Sequence, residues 1–360
     1  MKIISIANQK GGCGKTTTAI NLASALSDNG KKVLLLDLDP QAHASLGLNI
    51  QSRDSIYNVI SNLTPRKMAL RDIIQSVEGK FDIVPSNILV GTLEQELADE
   101  IGRELKLKEV LNSIKDEYDY ILIDCAPSLG ILTVNSIRAS DELILPVETS
   151  RFAMQGVEHL TDIVNLIKER LNHSVDCKIL ITMFDSRLRH SFSMLKIFRD
   201  KYQEMLFDTI VHTNVKLKES AVVGQTVVTF DKYCRGAKDY QALAKEMIML
   251  SGQSKGPEVF SSHMREVIRR EMQDCLMAKF RVEAPGAKTV YLTGSFNDWT
   301  IDENFRMRKE NGEWDIQVPL KPGRYKYQFV VDGVWKADPI NVQQERNSFG
   351  DVNSVVEING

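Results

Sequence analysis

No stretch of this 360-residue chain stays apolar long enough to cross a bilayer, and the opening run Ile3 to Ala7 is too short for a secretory signal. The five cysteines, Cys13, Cys125, Cys177, Cys234 and Cys275, are scattered, odd in number and never spaced C-x-x-C. That excludes a disulfide framework, a zinc ribbon and the ligand set of an iron–sulfur cluster, and it points to a reducing cytoplasm. Basic residues are not in excess either: 45 Lys and Arg stand against 48 Asp and Glu, a net charge of −3. A strongly basic polyanion binder is ruled out, although a local basic face is not. Internal repeats and low-complexity tracts are absent. What remains is 43% hydrophobic and 26% charged, enough for a sizeable core, in a chain long enough for two domains.

Residues 1 to about 250 alternate short apolar runs with longer amphipathic ones. Strands are expected at Lys2–Ala7, Lys32–Asp37, Phe81–Val84, Tyr120–Asp124, Glu142–Pro146, Lys178–Thr182 and Thr209–Val211. Helices are expected at Thr16–Asp28, Leu105–Asp116, Gln155–Leu171, Phe192–Tyr202 and Gly236–Leu250. The strands are continuous rather than alternating in character, which suits a doubly wound, mostly parallel α/β sheet covered by helices on both faces. Ser251 to Pro257 reads as a polar, glycine-containing linker, and Val259–Leu276 as a charged amphipathic helix. From Lys279 the pattern turns to short strands at Val290–Thr293, Trp314–Val318, Tyr325–Val331 and Val355–Ile358. They are separated by the turn signals Ser295–Asp298, Asn311-Gly312, Pro322-Gly323 and Asp332-Gly333. The expected division is 1–250, a linker and helix over 251–278, and a small immunoglobulin-like β-sandwich over 279–360.

The most informative stretch is Lys10-Gly-Gly-Cys-Gly-Lys-Thr-Thr-Thr18, placed between an apolar strand and an amphipathic helix. A glycine loop entering a helix forms a nest of backbone N–H groups where phosphate oxygens bind. Gly11, Gly12 and Gly14 let the backbone close in; Cys13 and Thr17 sit within the same nest. Lys15 reaches the β- and γ-phosphates, and the Thr16 hydroxyl is a Mg²⁺ ligand. The usual pattern has a glycine where Gln9 stands, and here a second lysine, Lys10, opens the loop. Cys13 reads either as a small filler or as a redox-sensitive thiol at a helix N-terminus.

Two apolar strands end in acids, Val33-Leu-Leu-Leu-Asp37-Leu-Asp39 and Tyr120-Ile-Leu-Ile-Asp124. Ligands of doubly wound sheets bind at the carboxyl ends of strands, so these acids belong beside the phosphate nest. Asp124 is assigned to hold Mg²⁺ through water, Asp37 to support the metal shell, and Asp39 to orient the attacking water. Asp39 precedes a proline, so a plain turn role competes with the catalytic one.

Together, Lys10–Thr18, Asp37-Leu-Asp-Pro-Gln41 and Asp124-Cys-Ala-Pro-Ser128 resemble the ParA/Soj family of deviant-Walker-A ATPases. Thr182–Arg187, Asn214–Glu219 and Gly236–Tyr240 are similar to it as well, so the likeness spans about residues 1–250. It implies ATP and Mg²⁺ as cofactors, a homodimer formed on ATP, and a lysine, here Lys10, that crosses to the partner's phosphates. It also implies slow hydrolysis, a ParB-like activating protein, a nucleotide contact at Asn214, and non-specific DNA binding. The candidate DNA contacts are Arg187, Arg189, Lys216, Lys218, Lys232, Arg235 and Lys238, which read otherwise as solvated surface residues. His212-Thr213 stands where many relatives carry Pro-Arg.

In the C-terminal part, Val290–Trp299, Gly323–Trp335, Asp338-Pro339 and Phe349–Asn353 resemble the glycogen-binding module of AMP-activated kinase β subunits and branching enzymes. By position Trp299, Trp335, Phe349 and Asn353 match its sugar contacts. Gln328 stands where kinase relatives have Lys, and Lys326 shares its strand face. Trp314, Ile316 and Val318 share one face, which makes Trp314 a core residue.

The resulting expectation is a cytoplasmic switch ATPase, nucleoid-associated if it binds DNA. Its C-terminal module would attach it to an α-glucan or a protein cargo, with no membrane contact. The alternative is an ATP-regulated carbohydrate- or protein-binding adaptor without DNA binding.

Overall fold

The computed structural model describes residues 1–252, 276–297, 299–301, 305–310, 313–320, 322–346 and 352–358. The expected linker and the Val259–Leu276 helix lie almost wholly outside the described residues, as do Cys275, Asp298, the Asn311-Gly312 turn and Phe349. By internal contact the chain divides into two units, Met1–Asp185 with Phe198–Pro257, and Ser186–Ile197 with Glu258–Gly360.

The first unit is built on eight strands: β1 Lys2–Ile6, β2 Val33–Asp37, β3 Gln75–Val77, β4 Phe81–Val84, β5 Tyr120–Asp124, β6 Glu142–Glu148, β7 Asp176–Phe184 and β8 Leu206–His212. Their order is β3-β4-β2-β5-β1-β6-β7-β8. Every neighbouring pair is parallel except β3–β4 at the edge. The apolar runs of β2 and β5 are buried along their whole length. Each buried leucine or isoleucine contributes about 1.5–3 kcal/mol by leaving water. This core continues into the helices Lys15–Asp28 and Arg235–Gly252, through Leu22, Leu26, Tyr240 and Leu243. The helix Arg151–Leu171 begins four residues earlier than its periodicity suggested, and Arg189–Tyr202 three earlier. The edge strand β3 is too short and too polar to stand out in the sequence.

In the second unit, β9 Leu276–Glu283, β11 Arg308–Glu310 and β12 Glu313–Leu320 form one antiparallel sheet in the order β11-β12-β9. β10 Val290–Gly294, β13 Gly323–Val331, β15 Gln344–Arg346 and β16 Val352–Ile358 form another, with β14 Val334–Lys336 paired to β13. Leu276, expected at a helix end, opens a strand instead. Phe280, Val282, Leu292, Trp314, Ile316 and Phe329 fill the core between the sheets. Trp314 is buried as expected, and its indole Nε1 donates to the Ala284 carbonyl at 2.9 Å.

Candidate nucleotide site and sugar face

β1 delivers the chain into the glycine loop, and the helix Lys15–Asp28 leaves it. Gly12 and Gly14 adopt φ of 76° and 88°, a region that a side chain disfavours, so glycine is required there. Gly14 is the N-cap of the helix. The loop is held from three sides. The Thr182 hydroxyl at the end of β7 donates to the Cys13 carbonyl at 2.8 Å. Asn8 accepts from the Lys10 N–H at 3.0 Å and donates to the Pro146 carbonyl at 2.7 Å. The Cys13 thiol is buried and donates to the Lys10 carbonyl at 3.2 Å. Burial raises its pKa, which favours the filler role over a reactive thiolate. Lys15 is buried, and its ammonium donates to the Lys10 carbonyl at 3.1 Å. Lys10 itself turns outward into an ion pair with Glu148 at the end of β6.

The parallel register sets Asp37 of β2 directly beside Asp124 of β5, and Asp124 beside Ile6 of β1. Both carboxylates are fully buried. Asp37 Oδ2 accepts from the Ser45 N–H at 2.8 Å and the Ser45 hydroxyl at 2.7 Å; Oδ1 accepts from the Asp39 N–H at 3.2 Å. Burial nevertheless raises its pKa to about 6. Among the described residues neither oxygen of Asp124 has a partner that meets hydrogen-bond geometry. Burial first, and then the charge of Asp37, push its pKa well above the carboxylate range; Thr16 and Lys15 act in the opposite sense.

A buried carboxylate without a partner is costly, and a cation beside it removes the cost. The donor set fits Mg²⁺: hard oxygens from Asp124 and the Thr16 hydroxyl, with Asp37 behind them. Among the described residues no cluster of three or more His, Cys, Asp or Glu could hold a metal by itself. When bound, Mg²⁺ supplies charge neutralisation on the phosphates.

Asp39 is nearly buried. One oxygen accepts the Gln41 N–H at 2.9 Å, the turn role foreseen for an Asp-Pro pair. The other lies 3.4 Å from His43 Nδ1 and is available to a water. Asn214 is the N-cap of the helix Val215–Val222, and its Oδ1 accepts from the Lys216 N–H at 2.8 Å. Ser45, Asn8 and Glu148 were not singled out from the sequence. Each acts on a residue more than seven positions away or through an unremarkable side chain, so only the fold reveals them.

The basic residues have varied surroundings. Lys218, Lys232 and Lys238 are exposed. Lys216 pairs with Glu219 at 2.8 Å and lies over the Phe230 ring. Arg235 lies beside His212 and Asp239. Arg187 is exposed; Arg189, in the segment that groups with the second unit, donates to the Tyr325 hydroxyl at 2.7 Å.

In the β-module, Trp299 and Trp335 come together with ring centroids 6.4 Å apart and planes tilted by 42°. Trp335 pairs with Val330 across the strands and is 43% exposed. Two other expectations need correction. Gln328 is buried, and its amide donates to the Val352 carbonyl at 2.6 Å, so it ties β13 to the start of β16 instead of facing a sugar. Asn353 is buried too, at the position of β16 that pairs with Glu345 of β15. Lys326 stays half-exposed, with its ammonium 2.9 Å from Glu345.

A phosphate nest, its lysine, and two acids at neighbouring strand ends define a P-loop ATPase that uses ATP and Mg²⁺. A family profile described as an AAA domain matches residues 1–179, and one described as the glycogen recognition site of AMP-activated protein kinase matches residues 278–360. The chain is 38% identical to the sporulation initiation inhibitor protein Soj of Bacillus subtilis over 248 residues, which span 68% of this chain and 98% of Soj. It is 36% identical to the chromosome partitioning protein ParA of Myxococcus xanthus over 249 residues, 69% of this chain and 88% of that one. Cobyrinic acid a,c-diamide synthase of Mycobacterium smegmatis, solved with a bound ATP analogue and magnesium, is 26% identical with a TM-score of 0.58, over 70% of this chain and 97% of that one. The chain belongs to the ParA/Soj family of partition ATPases, with a carbohydrate-binding type of module at its C-terminal end. Among the described residues no helix is long and apolar enough to cross a membrane.

Proposed function

We propose that the chain is an ATP-driven switch that dimerises on ATP, binds duplex DNA without sequence preference in that state, hydrolyses ATP slowly, and carries a cargo or an α-glucan on its β-module. In this reading residues 1–250 are the switch and 279–360 the attachment module. The carrying observation is the pair Asp37–Asp124 at adjoining strand ends, with Asp124 buried and, among the described residues, without a hydrogen-bond partner. Mg-nucleotide is the ligand that answers it. Lys10 is the residue that would reach the partner's phosphates and stabilise charge developing there. Arg187, Arg189, Lys216, Lys218, Lys232, Arg235 and Lys238 would neutralise DNA phosphates, giving salt-sensitive binding. Relatives named for chromosome partitioning support the same role. A ParB-like protein would be the activating partner. The test is titration of labelled duplex DNA with ATP, ADP or no nucleotide. Binding that is equal in all three, or absent from all three, rejects the DNA-tethered switch.

The tilted pair Trp299–Trp335 favours a second reading, an adaptor that binds glucan under ATP control. Co-sedimentation with glycogen, comparing wild type with Trp335→Ala, tests the glucan contact, and glycogen binding by a protein that binds no DNA in any nucleotide state selects this adaptor.

A further inference from the structure

Arg235 is the first residue of the helix Arg235–Gly252, where the positive end of the helix dipole disfavours a cation. Its surroundings offset this. Arg235 Nη2 lies 2.8 Å from His212 Nε2, and its Nε lies 3.6 Å from Asp239 Oδ1, one turn along the same helix. A guanidinium has donors only, so Nε2 of His212 must accept, and the ring proton must sit on Nδ1. Nδ1 then donates to Asp239 Oδ2 at 2.9 Å, and the same oxygen accepts the His212 backbone N–H at 2.9 Å. The Phe184 ring meets the imidazole edge-on, at 5.5 Å and 84°. His212 and Asp239 are largely buried, with side chains 17% and 12% exposed, while the Arg235 side chain is 58% exposed.

The base under Arg235 is rigid. A Cβ on Gly236 would come within 2.9 Å of Leu217 Cγ, so the start of this helix packs hard against the helix Val215–Val222. Exposed Lys218, Lys232 and Lys238 lie on the same or adjoining helices.

We propose that His212 and Asp239 are positioning residues that hold the Arg235 guanidinium ready for a phosphate of duplex DNA. This rests on the DNA-binding reading above. A preset arginine loses less rotamer freedom on binding than a free one. The backbone contact carries no sequence information, only affinity and register.

The experiment uses the full chain with ATP and Mg²⁺, a labelled random-sequence duplex, and binding measured across a salt series. Arg235→Ala should weaken binding and reduce the salt slope by about one. His212→Ala keeps the charge, so the slope should stay while affinity falls about 3- to 10-fold, the cost of ordering one long side chain. Asp239→Asn should weaken binding in the same way. His212→Gln, whose amide oxygen can accept in place of Nε2, should recover most of the loss. Long-range ¹H–¹⁵N spectra of the wild-type protein should find His212 neutral with its proton on Nδ1. Wild-type binding with an indifferent His212→Ala overturns this proposal alone. So does a ring protonated at Nε2, which decides the matter even if His212→Ala does not fold. Absence of DNA binding by the wild type in every nucleotide state overturns the DNA reading, and this proposal with it.

Discussion

Lys10, the lysine that opens the glycine loop, is ion-paired with Glu148 of its own chain at the end of β6. Both side chains are partly exposed, so the pair is worth about 0.2–1 kcal/mol. A lysine that must cross to a second subunit has to leave this partner first. Glu148→Gln should therefore raise the fraction of ATP-dependent dimer by up to about fivefold at a fixed protein concentration, as measured by sedimentation velocity. An unchanged or smaller dimer fraction would show that the pair does not restrain Lys10. Lys10→Ala should bind ATP yet turn over about 10²-fold more slowly, as expected when a donor to developing charge is lost.

Asp39 divides its oxygens between the turn at Gln41 and the open side facing His43. Asp39→Ala should keep ATP-dependent dimers and slow steady-state phosphate release about 10²-fold. Normal turnover in this variant would reduce Asp39 to its turn role.

The acid pair makes Mg-ATP binding depend on pH. In the metal-free protein Asp37 has a pKa of about 6, raised by burial, so it retains a proton up to that pH. An acid whose folded pKa is raised stabilises the folded state below that value and loses the contribution as pH rises through it. The metal needs the deprotonated carboxylates, so binding releases protons. Calorimetric affinity for Mg-ATP should climb through about pH 6, about tenfold per pH unit for each displaced proton, and keep rising above it, because burial and the charge of Asp37 hold the proton of Asp124 to higher pH. Ser45→Ala removes the hydroxyl that bonds Asp37 and should move this rise to higher pH.

Gln328 and Trp335 lie on the same module but should respond differently. Gln328→Ala leaves the buried Val352 carbonyl without its donor, which should lower the stability of the module by about 1–3 kcal/mol. Trp335→Ala should leave melting almost unchanged and release the protein from glycogen in co-sedimentation. Loss of glycogen binding by a Gln328→Ala protein that melts normally would return Gln328 to the sugar site.

Much of the phosphate site was legible in the sequence because its parts are local. Gly12 and Gly14 are needed for their own backbone angles, and Lys15 and Thr16 follow on the first helical turn. Asp37 and Asp124 each end a continuous apolar run, which marks them as strand-end acids without reference to each other. The errors fall where the environment of a residue is set from outside. Gln328 and Asn353 look like polar surface residues by type, yet both are buried in the folded module. Arg189, read as a phosphate contact, also donates to the Tyr325 hydroxyl, a partner 136 residues along the chain.

The order of residues alone determined the glycine loop, the run of buried strands and the two-part composition, since backbone preference and apolar periodicity act within a few residues. Tertiary structure decided which charges are spent and which are free. Register put Asp37 beside Asp124, β6 brought Glu148 to Lys10, and a helix more than twenty residues away brought Asp239 to His212. The physical reason is that electrostatics and burial depend on distance through space, and only the folded chain sets those distances.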